Sequence, residues 1–160
     1  MTRLMLASVL AAATTASACS GSGSTASSPT GPSPQSQSVL DVSGFWQEAG
    51  GGSVSIQFQQ SGAVVTSMAN FTDTNSVFGR YAGTCTGSGT LTGSSLTGNE
   101  SCQLTSQPNN APIAGCEEKV TSTYTVQTGG RQMNGSFTQT DTCNGGVVFT
   151  KNGAITLVKQ

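Results

Sequence analysis

The sequence predicts an all-β protein whose main domain is a single antiparallel up-and-down meander of eight or nine strands. Short segments alternate apolar and polar side chains, which is the period of a half-buried strand. Turns rich in glycine, a residue that occurs 21 times in the chain, separate these segments. No helical period follows the first eighteen residues. We expect the meander to close into a barrel, because closure leaves no strand edge unpaired; a two-sheet β-sandwich is the alternative.

The first predicted strand is Gly44–Glu48, and the second begins near residue 54. In the second strand Val54, Ile56 and Phe58 alternate with polar residues. A turn at Ser61-Gly62 would fold the chain back and place Phe58 opposite a valine, Val65. One face of this hairpin is then mostly apolar and the other mostly polar.

The next hairpin spans residues 83–102, after a further strand predicted near Arg80. A turn at Gly93-Ser94 places two leucines opposite each other and Cys85 opposite Cys102. Counting from the turn makes the cysteines a non-hydrogen-bonded pair, whose Cα atoms come to about 4.5 Å. A disulfide can bridge that separation. We therefore predict a Cys85–Cys102 disulfide.

A third hairpin runs from Cys116 to Cys143 around a turn at Gly129-Gly130. It places Val126 opposite a methionine and Cys116 opposite Cys143, which predicts a second disulfide. Here the count gives a hydrogen-bonded pair, a less favourable site for a bridge, unless a bulge changes the phase.

The last predicted hairpin turns at Asn152-Gly153 and joins residues 147–150 to 155–159, since Asn-Gly is a strong hairpin signal. Three glycines of the second hairpin, Gly87, Gly89 and Gly98, favour strong coiling of the strands. This coiling is the reason for preferring the barrel to the sandwich.

The chain before the domain has the features of an export signal. Residues 1–18 have one positive charge, an uncharged apolar stretch too short to span a membrane, and small residues before Cys19. Ala16-Ser17-Ala18-Cys19 resembles the lipobox of bacterial lipoproteins, whose cysteine is acylated after the signal is removed. Cys19 is also the cysteine left over when the other four pair. The resemblance implies a lipid anchor, with the protein in the bacterial cell envelope at the outer membrane.

Residues 19–39 form the predicted tether, and residues 40–160 the β-barrel domain. The segment from residue 20 to residue 38 contains no charge and no large apolar side chain, so it cannot offset its ordering entropy. The acylated Cys19 makes the lipid bilayer a partner of the chain.

Composition argues against several classes of function. Removal of Arg3 with residues 1–18 changes the net charge from −1 to −2, which offers no basic patch for nucleic acid. The chain has no histidine, the commonest general base and metal ligand. The four downstream cysteines lack the spacing of a zinc site. We therefore predict no enzyme, no cofactor and no metal.

Two acidic positions stand out. The adjacent Glu117 and Glu118 are interpreted as a solvated loop end beside Cys116. Glu100 falls opposite Gly87 on the leucine face, where a carboxylate needs a partner or a cationic ligand. We expect a local bulge to turn Glu100 outward instead.

Gly44-Phe45-Trp46 resembles the G-x-W that opens the first strand of the calycins, the lipocalins, fatty-acid-binding proteins and avidins. The resemblance implies a barrel with Trp46 plugging one end and a late basic residue packed over it. Lys159 is the candidate for that residue.

Two functions follow. The first is an exported lipoprotein whose barrel holds a small apolar ligand against Trp46, Phe58, Tyr124 and Phe137. Small residues on the inward face favour a cavity there: Ser67, Ala69, Ser122 and Gly135. The alternative is a periplasmic or surface protein that binds a protein partner, such as an inhibitor of a hydrolase, through a long loop at Thr105–Pro112.

Overall fold

The computed structural model describes residues 40–160. The signal peptide predicted for residues 1–18, the anchor predicted at Cys19 and the tether predicted for residues 19–39 lie outside the described residues. Between residues 40 and 160 the chain is strand, turn and irregular structure, with no helix. No helix that could cross a bilayer is found in this part of the chain.

Eight antiparallel strands form a closed barrel in which each strand pairs with the next in sequence. Their bounds are β1 Gly44–Glu48, β2 Ser55–Ser61, β3 Val64–Asn75, β4 Gly79–Thr92, β5 Ser95–Ser106, β6 Ala111–Val126, β7 Gln132–Cys143 and β8 Gly146–Lys159. Pairing of β1 with β8 closes the ring, for example Trp46 with Lys159. The predicted meander and barrel are therefore confirmed, with eight strands, and the segment near Arg80 belongs to β4.

Both predicted disulfides are present, and the two hairpin registers that predicted them are confirmed. Cys85 pairs with Cys102 across β4 and β5, and Cys116 pairs with Cys143 across β6 and β7. The Cα atoms are 3.9 Å and 4.1 Å apart, respectively. Both separations are typical of non-hydrogen-bonded pairs.

The hydrogen-bonded pairing predicted for Cys116 and Cys143 is wrong. The β6–β7 loop has four residues instead of two, because the Gln127 amide donates to the Gln132 carbonyl at 2.8 Å and closes it. Moving the closing pair by one residue on each strand exchanges the two kinds of pair along the ladder. This exchange places the cysteines at the closer spacing.

The first hairpin turns one residue later than predicted, at Gly62-Ala63. Phe58 therefore lies opposite Ser67 instead of Val65, although the inward face is unchanged because the register moves by two residues. Gly62 has a φ of 62°, as the first central position of a type II′ turn requires.

The predicted turn at Asn152-Gly153 is also wrong, since both residues lie inside β8 opposite Thr138 and Phe137 of β7. The β7–β8 turn is Asn144-Gly145, where both φ angles are positive, 50° and 82°, as in a type I′ turn. Asn152 accepts a hydrogen bond from the Thr138 hydroxyl at 2.7 Å. A Cβ on Gly153 would lie 2.6 Å from the Phe137 ring, so the glycine makes room for that ring.

The stretch Thr105–Pro112 is not a long loop. Thr105 pairs with Pro112 and Ser106 with Ala111, which leaves a four-residue connection at 107–110 between β5 and β6. The ladder shifts register between Gln103 and Thr105, where a bulge lies. The long loop predicted for the hydrolase-inhibitor alternative is therefore wrong, and the connection at this position has four residues.

One end of the barrel, the Trp46 end, is closed by packed side chains. Trp46 is 0% exposed, and its indole N–H donates to the Val42 carbonyl at 2.8 Å. The Lys159 ammonium lies 5.7 Å from the centroid of the Trp46 ring, close enough for a cation–π contact. The segment before β1 thus folds under the barrel and seals this end.

The barrel wall has a gap on one side, which we call the β3–β8 cleft. β2 pairs with β3 only as far as Asn70. β1 pairs with β8 only over the last three residues of β8, which begin at Leu157. Within the described residues, β3 beyond Asn70 and β8 before residue 156 therefore have a strand neighbour on one side only. The short β1 and β2 leave this opening because the other six strands are more than ten residues long.

Candidate functional site

A cavity of about 290 Å³ occupies the barrel interior beside the β3–β8 cleft. Its apolar wall includes Ile56, Ala69, Phe71, Val120, Phe137 and Ile155. Its polar wall includes Glu48, Asp73, Glu100, Glu118, Gln139 and Lys151. The volume is near the lower end of the usual range for small-molecule sites, about 300–1,000 Å³. The cavity therefore suits a small ligand with both apolar and polar parts.

Aromatic rings of the barrel lie flat against inward-facing glycines on the neighbouring strand. A Cβ added at any of these glycines would come within 2.6 Å of the ring opposite. The three pairs are Phe71 with Gly83, Tyr124 with Gly135 and Phe137 with Gly153. Such aromatic–glycine pairs are a known device of β-sheets. Here they keep the rings close to the wall and leave the lumen open.

The four side chains predicted to hold a ligand form two groups. Tyr124 and Phe137 line the cavity, while Trp46 and Phe58 lie in the packed part of the interior. Trp46 and Phe58 meet edge to face with centroids 6.5 Å apart, and Phe58 meets Tyr124 at 6.4 Å. A row of aromatic rings therefore connects the Trp46 end to the floor of the cavity.

The β3–β8 cleft provides the entrance to the cavity, and an ion pair crosses it. The Lys151 ammonium of β8 lies 2.8 Å from a carboxylate oxygen of Asp73 on β3. The loop between β1 and β2 lies below this pair, with the Ser53 hydroxyl donating to the Thr72 carbonyl at 2.6 Å. Glu48 accepts a hydrogen bond from the Val54 amide at 3.3 Å. The Asp73–Lys151 ion pair and this loop therefore border the cavity at the cleft.

The barrel end opposite Trp46, the Tyr81 end, is filled by aromatic rings and a buried polar network. Phe71 and Phe78 meet the Tyr81 ring edge to face at 5.8 Å and 5.5 Å. The Gln139 amide lies 2.9 Å from the Tyr81 hydroxyl, 2.9 Å from a Glu118 oxygen and 3.0 Å from an Asp141 oxygen. The network joins β4, β6 and β7 across the interior.

The two acids of this network lie side by side in the barrel interior. Glu118 is 2% exposed and Asp141 is 0% exposed, and they lie opposite each other on β6 and β7. Burial, together with repulsion from Asp141, raises the pKa of Glu118 to about 8. Burial also raises the pKa of Asp141. At neutral pH the Glu118 carboxyl is therefore protonated and hydrogen-bonded to Asp141.

The interpretation of Glu117 and Glu118 as a solvated loop end is wrong. Both lie within β6, where adjacent side chains point to opposite faces. Glu117 is exposed, and Lys119 at 2.9 Å lowers its pKa, whereas Glu118 points into the barrel. The sequence held the signal for this buried pair, because the predicted Cys116–Cys143 register already places Glu118 opposite Asp141.

Glu100 points into the barrel, and the bulge expected to turn it outward is absent at this position. The β4–β5 ladder is regular where Glu100 pairs with Gly87. Because Gly87 has no side chain, the Glu100 side chain can lie across it inside the barrel. Burial raises the pKa of Glu100, while a hydrogen bond with Ser67 opposes this change. Burial and the charge of nearby Glu100 raise the pKa of Tyr124 to about 12.

The chemistry available in this cavity is apolar contact, hydrogen bonding and charge recognition. No group of three or more metal-ligating side chains occurs between residues 40 and 160. Glu118 is already engaged by Gln139 and Asp141 and so supports the wall. Comparison of the chain with protein families, curated proteins and solved structures gives no match.

Proposed function

We propose that the domain binds a small molecule with a substantial apolar part, and that acylated Cys19 holds the protein at the bacterial cell envelope. The cavity of about 290 Å³ carries the first part of the proposal. A folded core normally fills such space, because empty volume in a core costs stability. Retaining both the cavity and an entrance is typical of a binding site.

The proposed role is binding without catalysis. Of the carboxylates in the cavity wall, Asp73 is paired with Lys151, Glu48 with a backbone amide and Glu118 with Asp141. These contacts position each group within the wall and leave it no free partner with which to activate a nucleophile. The two disulfides support export, since such bridges persist in oxidising compartments.

The binding proposal is tested with indole as a neutral, apolar probe. The chain has three isoleucines, of which Ile56 and Ile155 line the cavity and Ile113 does not. Titration of protein labelled with ¹³C at the isoleucine methyl groups should shift the first two signals saturably and leave the third unchanged. Mass spectrometry of an organic extract of the purified protein would then identify the natural ligand.

A pair of variants provides the control. Ala69 lines the cavity, whereas Ala154 is exposed on the outer face of β8. Ala69→Leu should fill the cavity and abolish the indole shifts, and Ala154→Leu should leave them unchanged. The proposal is refuted if indole gives no saturable shift of Ile56 and Ile155, or if Ala69→Leu binds indole as well as the native protein does.

A further inference from the structure

Glu100 differs from the other carboxylates that line the cavity. The cavity wall contains four carboxylates, and a cation, a backbone amide or a second carboxyl engages each of the other three. Glu100 has the Ser67 hydroxyl as its hydrogen-bond partner. Within residues 40–160 no lysine or arginine forms an ion pair with it. An inward carboxylate without a cation loses hydration and gains little in return.

The remaining cavity charges do not supply the missing cation. Lys151 is the basic residue of the cavity wall, and it is paired with Asp73 at the cleft. The wall therefore carries an excess of acidic groups around a lumen lined by aromatic rings. Tyr124 lies near Glu100, and Phe137 lines the same cavity. A carboxylate beside aromatic rings is a favourable setting for an ammonium group, through charge-assisted hydrogen bonds and cation–π contact.

We infer that the cavity selects a small ligand with a protonated amine on an apolar, preferably aromatic, body, and that Glu100 binds the ammonium group. This inference rests on the proposed binding function and adds the charge of the ligand to it. The ammonium would donate hydrogen bonds to the Glu100 carboxylate, and the apolar body would lie against Tyr124 and Phe137. Gly87, which lies opposite Glu100, leaves room for the Glu100 side chain in the lumen. A Cβ at position 87 would lie 2.5 Å from that side chain.

The test compares 2-phenylethylamine with 2-phenylethanol, which replaces the ammonium with a hydroxyl on the same skeleton. Binding to the native protein is measured at pH 7 by the Ile56 and Ile155 methyl shifts. The amine should bind about tenfold more tightly than the alcohol or better, as a charge-assisted hydrogen bond would give. The anionic analogue 3-phenylpropanoate should bind more weakly than either.

The Glu100→Gln variant should bind the amine and the alcohol about equally tightly. Glu117→Gln, which changes an exposed glutamate of β6, should keep the full preference. If the alcohol binds the native protein as tightly as the amine, the inference is overturned and the proposed binding function stands. If Glu100→Gln still prefers the amine to the alcohol, the inference is likewise overturned and the proposed binding function stands. If neither compound binds, the inference is overturned, and the indole titration decides separately whether the proposed binding function stands.

Discussion

Replacement of Glu118 by glutamine should make the protein more stable above neutral pH. Glutamine has nearly the same shape, can accept the hydrogen bond from Gln139 and can donate one to Asp141. It cannot ionise. The substitution therefore removes the cost of a buried charge and keeps the contacts of the network.

The size of the effect follows from the pKa of Glu118, which rises from an ordinary 4.5 to about 8 in the folded protein. Between these values the folded state retains a proton that the unfolded state releases, so the free energy of unfolding falls as pH rises. Each pH unit is worth about 1.4 kcal/mol, which sets an upper limit of about 5 kcal/mol for the whole interval. Relaxation and water entering from the cavity reduce such penalties, so we expect a gain of about 2–4 kcal/mol for Glu118→Gln at pH 9.

The measurement is denaturant unfolding at intervals from pH 5 to pH 9 with the disulfides intact. The fluorescence of the single tryptophan, Trp46, reports unfolding because its side chain is buried. The native protein should lose stability across this range, and Glu118→Gln should lose much less. Glu117→Gln is the matched control, since the neighbouring carboxylate is exposed and has a lowered pKa. The free energy of unfolding of Glu117→Gln should therefore change with pH as that of the native protein does. A native curve that is flat or rises with pH, or a Glu118→Gln curve with the native slope, would refute the reasoning.

Two further predictions concern covalent chemistry. Cys19→Ser should abolish acyl labelling and release the protein from the membrane fraction; a variant that still fractionates with membranes would contradict the anchor. Non-reducing peptide maps should join Cys85 to Cys102 and Cys116 to Cys143, and a peptide joining Cys85 to Cys116 would contradict both registers. Each bridge spans 17 or 27 residues of sequence, so removing one by a double Cys→Ser substitution should lower the free energy of unfolding by about 3–4 kcal/mol.

The sequence predicted best those features that depend on counting along one hairpin. Inward and outward residues alternate with a period of two, so a correctly placed turn fixes every pair on its ladder. The turns at Gly93-Ser94 and Gly129-Gly130 thus gave both disulfides, and the second also contained the Glu118–Asp141 pair. The Asn152-Gly153 error had a different source. A second Asn-Gly, at residues 144–145, forms the actual turn, and the Phe137 ring requires the glycine at position 153.

The alternation of residue types, the registers of the two cysteine-containing hairpins, both disulfide pairings and the all-β class were determined by the sequence alone, because they depend on neighbours along one or two strands. The tertiary structure decided the features that join strands distant in sequence. These are the β3–β8 cleft with its Asp73–Lys151 ion pair, and the network that brings Tyr81 of β4 to Gln139 of β7. The position of Glu100 opposite Gly87 follows from the β4–β5 register alone, whereas the cavity into which Glu100 points is formed by strands distant in sequence. Closure of the barrel fixes the stagger and tilt of all the strands together. Contacts across the lumen therefore follow from the closed ring, and no single hairpin specifies them.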